Sequence, residues 1–164
     1  MNLKAVLLEQ MVACHEQKNW FVPLNVAIDG LSAEQAAWKT GDSNSIWQIV
    51  NHLIFWNERY LNLFKSIPLS KEEVNNNTTF GSTNPNENTE WQSVVLQLYR
   101  VMSDWTDAIK QCDEEKFHRS AYKESNAPWS SVIANLNIHN AYHIGQIVEL
   151  RKTQGAWDSK NGVN

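Results

Sequence analysis

The sequence predicts an all-α protein built as a four-helix bundle. Three observations carry that prediction. Four long segments repeat apolar residues every three or four positions, no segment alternates as a half-buried strand does, and cap or breaker residues stand at the segment ends. The first segment runs from about Leu3 to Lys18, with the stripe Leu3, Leu7, Met11 and Cys14. Pro23, Gly30 and Gly41 break the connection that follows. Within it, Ser32 followed three residues later by Gln35 is a capping-box pattern and predicts a short helix over 32–38.

The second long helix is expected from Asn44 to about Lys65, capped by Asp42 or Ser43, with the stripe Ile46, Ile49, Val50, Leu53, Trp56, Tyr60 and Phe64. Composition then changes: residues 66–88 hold Pro68, Gly81, Pro85 and six asparagines, a long polar loop. Loops of this length in compact domains are functional covers or linkers, and this one is read first as a linker. The third helix spans about Thr89 to Cys112, capped by Thr89, with the stripe Trp91, Val94, Val95, Leu98, Met102, Trp105 and Ile109. An irregular stretch over 113–128 leads to the fourth, which Pro128 or Ser130 starts and Gly155 ends after about Thr153. Four amphipathic helices pack most simply as a bundle. The two long connections argue against a plain chain of helical hairpins.

The length of 164 residues matches a single domain over 1–164 with a sizeable core. The formal net charge is −4, which opposes broad contact with nucleic acid or an anionic membrane. The N-terminal apolar stretch is interrupted by Glu9 and Gln10 and does not read as a signal peptide, and no segment is long and apolar enough to span a bilayer. Cys14 and Cys112 stand far apart without a CxxC motif, as expected of reduced thiols in the cytoplasm. Neither has a base near it in sequence, so neither is taken as a nucleophile.

The chemistry lies in the histidines, of which there are five. His139 and His143 are four apart on the fourth helix, so their rings stand one above the other on one face and can converge on one metal ion. They fill the gap in the stripe 132, 136, 139, 143, 147, 150, where Leu or Ile is expected. His52 sits beside the inward seam of the second helix, among Ile49, Leu53 and Trp56. Three inward imidazoles are hard to satisfy with one another, each unmet group costing about 1–3 kcal/mol, whereas one divalent ion satisfies all three. Neither Ser125–Val148 nor Ser43–Asn57 contains Asp, Glu, Lys or Arg. A di-iron carboxylate bundle, which needs inward glutamates, is therefore disfavoured. Three neutral ligands leave the ion's charge uncancelled, so its open position favours an anion.

Gln48, Trp56, Asn135 and Gln146 lie about a turn from these histidines and are candidates to orient the rings. Gly145, in mid-helix, is expected at a close helix contact or beside a ligand. His15 and His118 read as surface residues, and the eight tryptophans as mostly core, with Trp38, Trp129 and Trp157 at helix ends, where a pocket mouth or dimer face would lie.

The segments SIWQIVNHLIFWNERYL and PWSSVIANLNIHNAYHIGQIVELRK resemble the DinB/YfiT-like superfamily of metal-binding four-helix bundles. The likeness runs over nearly the whole chain. Its most specific parts are His52-Leu53 and the run His139, His143, Gly145, Gln146, Ile147. The resemblance implies an up-down-down-up topology with a long crossover, a zinc or nickel ion on His52, His139 and His143, and a homodimer. Family members include thiol-dependent transferases and isomerases using mycothiol or bacillithiol, and others described only as metal-dependent hydrolases. The expected function is thus a metal-dependent transferase or hydrolase acting on a small molecule. A three-histidine site would activate a low-molecular-weight thiol or water, with metal-bound water or thiolate as the reacting species and no acid/base side chain identified. The alternative is a non-catalytic metal- or anion-binding dimer module in a stress response.

Overall fold

A computed structural model of the chain describes residues 2–70, 73–123 and 126–162. Lys71 and Glu72 in the long loop, Glu124 and Ser125 in the second irregular stretch, and the last two residues lie outside the described residues. The described residues are helical, without strands. The helices are α1 (Leu3–His15), α2 (Leu24–Ile28), α3 (Ala33–Ala37), α4 (Ile46–Phe64), α5 (Asn88–Gln111) and α6 (Trp129–Thr153), with 3-10 turns at Asn76–Phe80, Glu114–His118 and Ser159–Asn161. Helices α1 and α4 each pack against both α5 and α6.

Each long helix forms where its apolar stripe finds a partner face. Leu7, Met11 and Cys14 of α1, Leu53 and Leu61 of α4, Leu98, Met102 and Ile109 of α5, and Ile133, Ile144 and Ile147 of α6 are all buried. At one end of the core, Phe64 meets Trp129 edge-on at 5.0 Å and Trp105 at 5.4 Å. At the other, Trp47 lies 5.3 Å from Trp91, whose indole N–H donates to the Leu31 carbonyl at 2.8 Å. Trp129, expected at a pocket mouth or dimer face, is core instead: it is the first residue of α6, after the cap Pro128, and its ring packs edge-on against Phe64.

Several boundaries differ from the sequence reading. The cap of α4 is Ser45, not Asp42 or Ser43: Ser45 and Gln48 form a reciprocal capping box, the same pattern that starts α3 at Ser32 and Gln35. Thr89 does not cap α5, which begins at Asn88. The Asn88 side chain instead accepts from the Ala33 N–H at 2.8 Å, tying α3 to α5. Helix α2 was not expected, because five residues carry too short a pattern to show a period. Gly155 ends α6 as expected, at φ +75°, a conformation open to glycine at little cost.

The loop over 66–88 is not a plain linker. Its turn Asn76–Phe80 packs on α4 and is held by side chains from one face of that helix. Gln48 donates to the Gly81 carbonyl at 3.4 Å, Asn51 to the Phe80 carbonyl at 3.1 Å, and Trp56 to the Asn76 side-chain oxygen at 3.2 Å.

Buried amides also cross the core. Asn57 and Asn140 exchange side-chain hydrogen bonds of 2.8 and 3.2 Å between α4 and α6, and the Asn57 carbonyl accepts from the Trp105 indole at 3.0 Å. Asn140 thus occupies the core face of α6 that the sequence reading assigned to 139 and 143 together. The buried stripe is 133, 136–137, 140, 143–144, 147, so Val132 and His139 fall to its margin. His15 is a second correction: it is buried, at 6 % exposure, with its ring 6.0 Å from that of Tyr99. Gly145 meets neither a close helix nor any other neighbour, since a Cβ built there has no atom within 4 Å.

Candidate metal centre

Helix α4 presents His52 from its second turn, and α6 presents His139 and His143 one turn apart. One ring nitrogen of each lies within 4.8 Å of the others. The Nε2 atom of His139 stands 3.0 Å from that of His52 and 3.1 Å from that of His143. His52 and His143 are buried, and His139 is half-buried.

The outer nitrogens decide which way the lone pairs point. Thr79 donates its hydroxyl hydrogen to the Asn76 carbonyl at 2.6 Å, so its oxygen accepts from His52 Nδ1–H, also at 2.6 Å. The Gln146 side chain donates its amide to the Tyr142 hydroxyl at 3.1 Å, which leaves its oxygen to accept from His143 Nδ1–H at 2.6 Å. Both rings are therefore Nδ1–H tautomers with bare Nε2 lone pairs, assigned from the hydrogen-bond network. Both lone pairs face His139 Nε2, which carries at most one proton and can answer only one of them. The Nδ1 of His139 is buried with no partner among the described residues.

Electrostatics keep the cluster neutral. Burial, and then the neighbouring imidazoles, push His52 down to about 4, and burial with His143 pushes His139 down to about 4. Burial lowers His143 as well, against the opposing effect of the hydrogen bond it donates to Gln146. The rings are thus neutral at neutral pH, with nitrogen lone pairs of the kind that can ligate a metal ion. Nitrogens on a tetrahedral zinc with bonds of about 2.05 Å stand about 3.3 Å apart, close to the spacing found. The three-histidine group fits a divalent ion.

Among the residues expected to orient the rings, Gln146 bonds directly to His143. Gln48 bonds to no histidine, because its side chain is committed to the capping box and to Gly81. Trp56 meets His52 only edge-on at 6.4 Å, and Asn135 is exposed on the wall of a neighbouring cleft. Two contacts were missed in the sequence: Thr79, and Phe80, whose ring stacks on His52 at 4.2 Å and 7°. Both come from the loop at 66–88, where no helical period could have shown which residues face α4. His118 is exposed as expected, and among the described residues no Asp or Glu joins the cluster.

No helix among the described residues is long and apolar enough to cross a membrane. Searches of curated proteins and of solved structures find no match. Comparison with known families matches residues 24–147, a span that contains His52, His139 and His143 and covers more than half of the chain. The chain belongs to the DinB superfamily.

Proposed function

We propose that His52, His139 and His143 hold one divalent ion, zinc or nickel, in a metal-dependent enzyme that activates a low-molecular-weight thiol or, as a hydrolase, water. The observation that carries this reading is the pair of fixed tautomers, which leaves two lone pairs and one ring nitrogen converging without enough protons between them. An ion held by three neutral imidazoles supplies a Lewis-acidic centre that lowers the pKa of the thiol or water.

The chain's own groups do the rest. Thr79 and Gln146 hold two rings in register, and Phe80 covers His52. A cleft of about 450 Å³ opens onto the third ring, His139, and gives a substrate its approach. An up-down-down-up order of α1, α4, α5 and α6 and a homodimer are proposed as part of the same reading. Two unpaired cysteines, Cys14 and Cys112, suit a reducing cytoplasm.

The test is metal content by mass spectrometry on tag-free protein, followed by turnover with and without added thiols. About one ion per chain and thiol-dependent turnover support the transferase, and thiol-independent hydrolysis supports the hydrolase. Retained metal without turnover on electrophile or ester panels favours a non-catalytic module. Absence of metal after reconstitution in zinc or nickel overturns the reading.

A further inference from the structure

The cleft beside His139 has a composition that selects among ligands. Its walls are Trp56 and Tyr60 from α4, Asn76 from the loop turn, Tyr122, and Asn135 with His139 from α6. The indole of Trp56 stacks with the Tyr60 ring at 6.0 Å and 28°, an aromatic pair along α4 on this wall. The Trp56 N–H is committed to Asn76, which keeps that wall upright. Burial, then Tyr122 nearby, raises the Tyr60 phenol against the opposing charge of Arg59. Among the described residues, no Asp, Glu, Lys or Arg lines the cleft. A sugar phosphate, nucleotide or polycarboxylate would find no cation along these walls to replace the water it gives up. A flat apolar body would be covered on several sides, with phenol and amide groups at its edge. Only His139 of the three histidines lines the cleft, so a ligand reaches the histidine cluster from that side.

We infer that this cleft takes the apolar, ring-bearing body of a ligand whose single anionic head is a thiolate, carboxylate or hydroxamate directed to the histidine cluster. The inference rests on the metal-site reading above, because the head needs the ion's uncancelled charge. It narrows the substrate class to aromatic or similarly flat monoanions.

Three hydroxamates with the same head test it on the zinc-loaded protein. Benzohydroxamate carries the ring and acetohydroxamate does not, and 4-carboxybenzohydroxamate adds a second charge. Titration calorimetry on protein of known zinc content reads the three affinities. The expected result is benzohydroxamate bound roughly tenfold tighter than acetohydroxamate, with most of that gain lost in the dianion. In Tyr122→Ala, at an exposed wall residue, the ring's advantage falls below about threefold while acetohydroxamate binds unchanged. In Asn135→Asp, also at an exposed position, benzohydroxamate weakens because a carboxylate now faces the ring. Equal affinity of the two monoanions, or tighter binding of the dianion, overturns the inference and leaves the metal site standing. A protein that takes up no zinc overturns both, and the metal assay identifies that case.

Discussion

Thr79 Oγ1 and His52 Nδ1 lie 2.6 Å apart, so a residue from an asparagine-rich loop fixes the tautomer of a helix histidine across 27 positions of sequence. The bond has a direction, because the Thr79 hydrogen is already given to the Asn76 carbonyl. Removing the hydroxyl frees the His52 ring to rotate or to place its proton on Nε2. Thr79→Val is therefore expected to weaken zinc binding by about 10–100-fold, the usual effect of losing such an outer partner. Thr79→Ser retains the wild-type affinity. Competition against a chromophoric chelator reads both, and equal affinities in Val and Ser variants would remove the role assigned to the hydroxyl.

His139 Nε2 is shared by both short contacts in the cluster. His139→Ala leaves two imidazoles, which do not hold an ion against dialysis. Metal content is expected to fall from about one ion per chain to background, with far-ultraviolet circular dichroism unchanged because His139 sits at the edge of the core. Retention of a full complement of metal in this variant would place the ion elsewhere.

The Asn57–Asn140 pair predicts a structural cost with no effect on metal. Asn140→Ala leaves the buried Asn57 side-chain oxygen without its donor, while the Asn57 amide nitrogen keeps the Leu53 carbonyl, at a cost of about 1–3 kcal/mol. Urea denaturation should show the loss, while zinc stoichiometry stays at wild type. A change within error of zero would mean that the amide finds another partner.

Gly145 predicts the opposite sign. It lies inside α6, is exposed, and leaves open space where a Cβ would stand. Gly145→Ala is expected to stabilise the protein by about 0.5–1 kcal/mol, since alanine loses less backbone entropy in a helix. A loss of stability would reveal a contact at this position in an assembled form, which sedimentation of both proteins would detect.

Buried His15 predicts an acid-sensitive component of stability. Burial lowers its pKa from 6.5, against the opposing charge of Glu16. Below pH about 6.5 the unfolded chain takes up a proton that the folded chain resists, so this contribution to stability is present at neutral pH and declines as pH falls. In His15→Gln the decline in denaturation midpoint between pH 7 and pH 5 should be smaller than in the wild type. An unchanged slope would assign the acid sensitivity to other groups.

The sequence by itself determined the helical class, the four long segments and the three histidines. These follow from local periodicity: side chains three and four apart share a helix face wherever the helix packs, and two of the histidines lie on one helix. It also carries the capping box at Ser45 and Gln48, although the cap expected for that helix was Asp42 or Ser43. Tertiary structure decided the finer rotation of α6, where Asn140 pairs with Asn57 and moves His139 to the margin of the core. It decided that His15 is buried and that the loop turn at 76–80 lies against α4. Thr79, Phe80 and the aromatic cleft depend on that placement. An irregular segment has no period to reveal its inward face, and the contacts that hold it join residues far apart in the chain. Only the packed structure brings those contacts together.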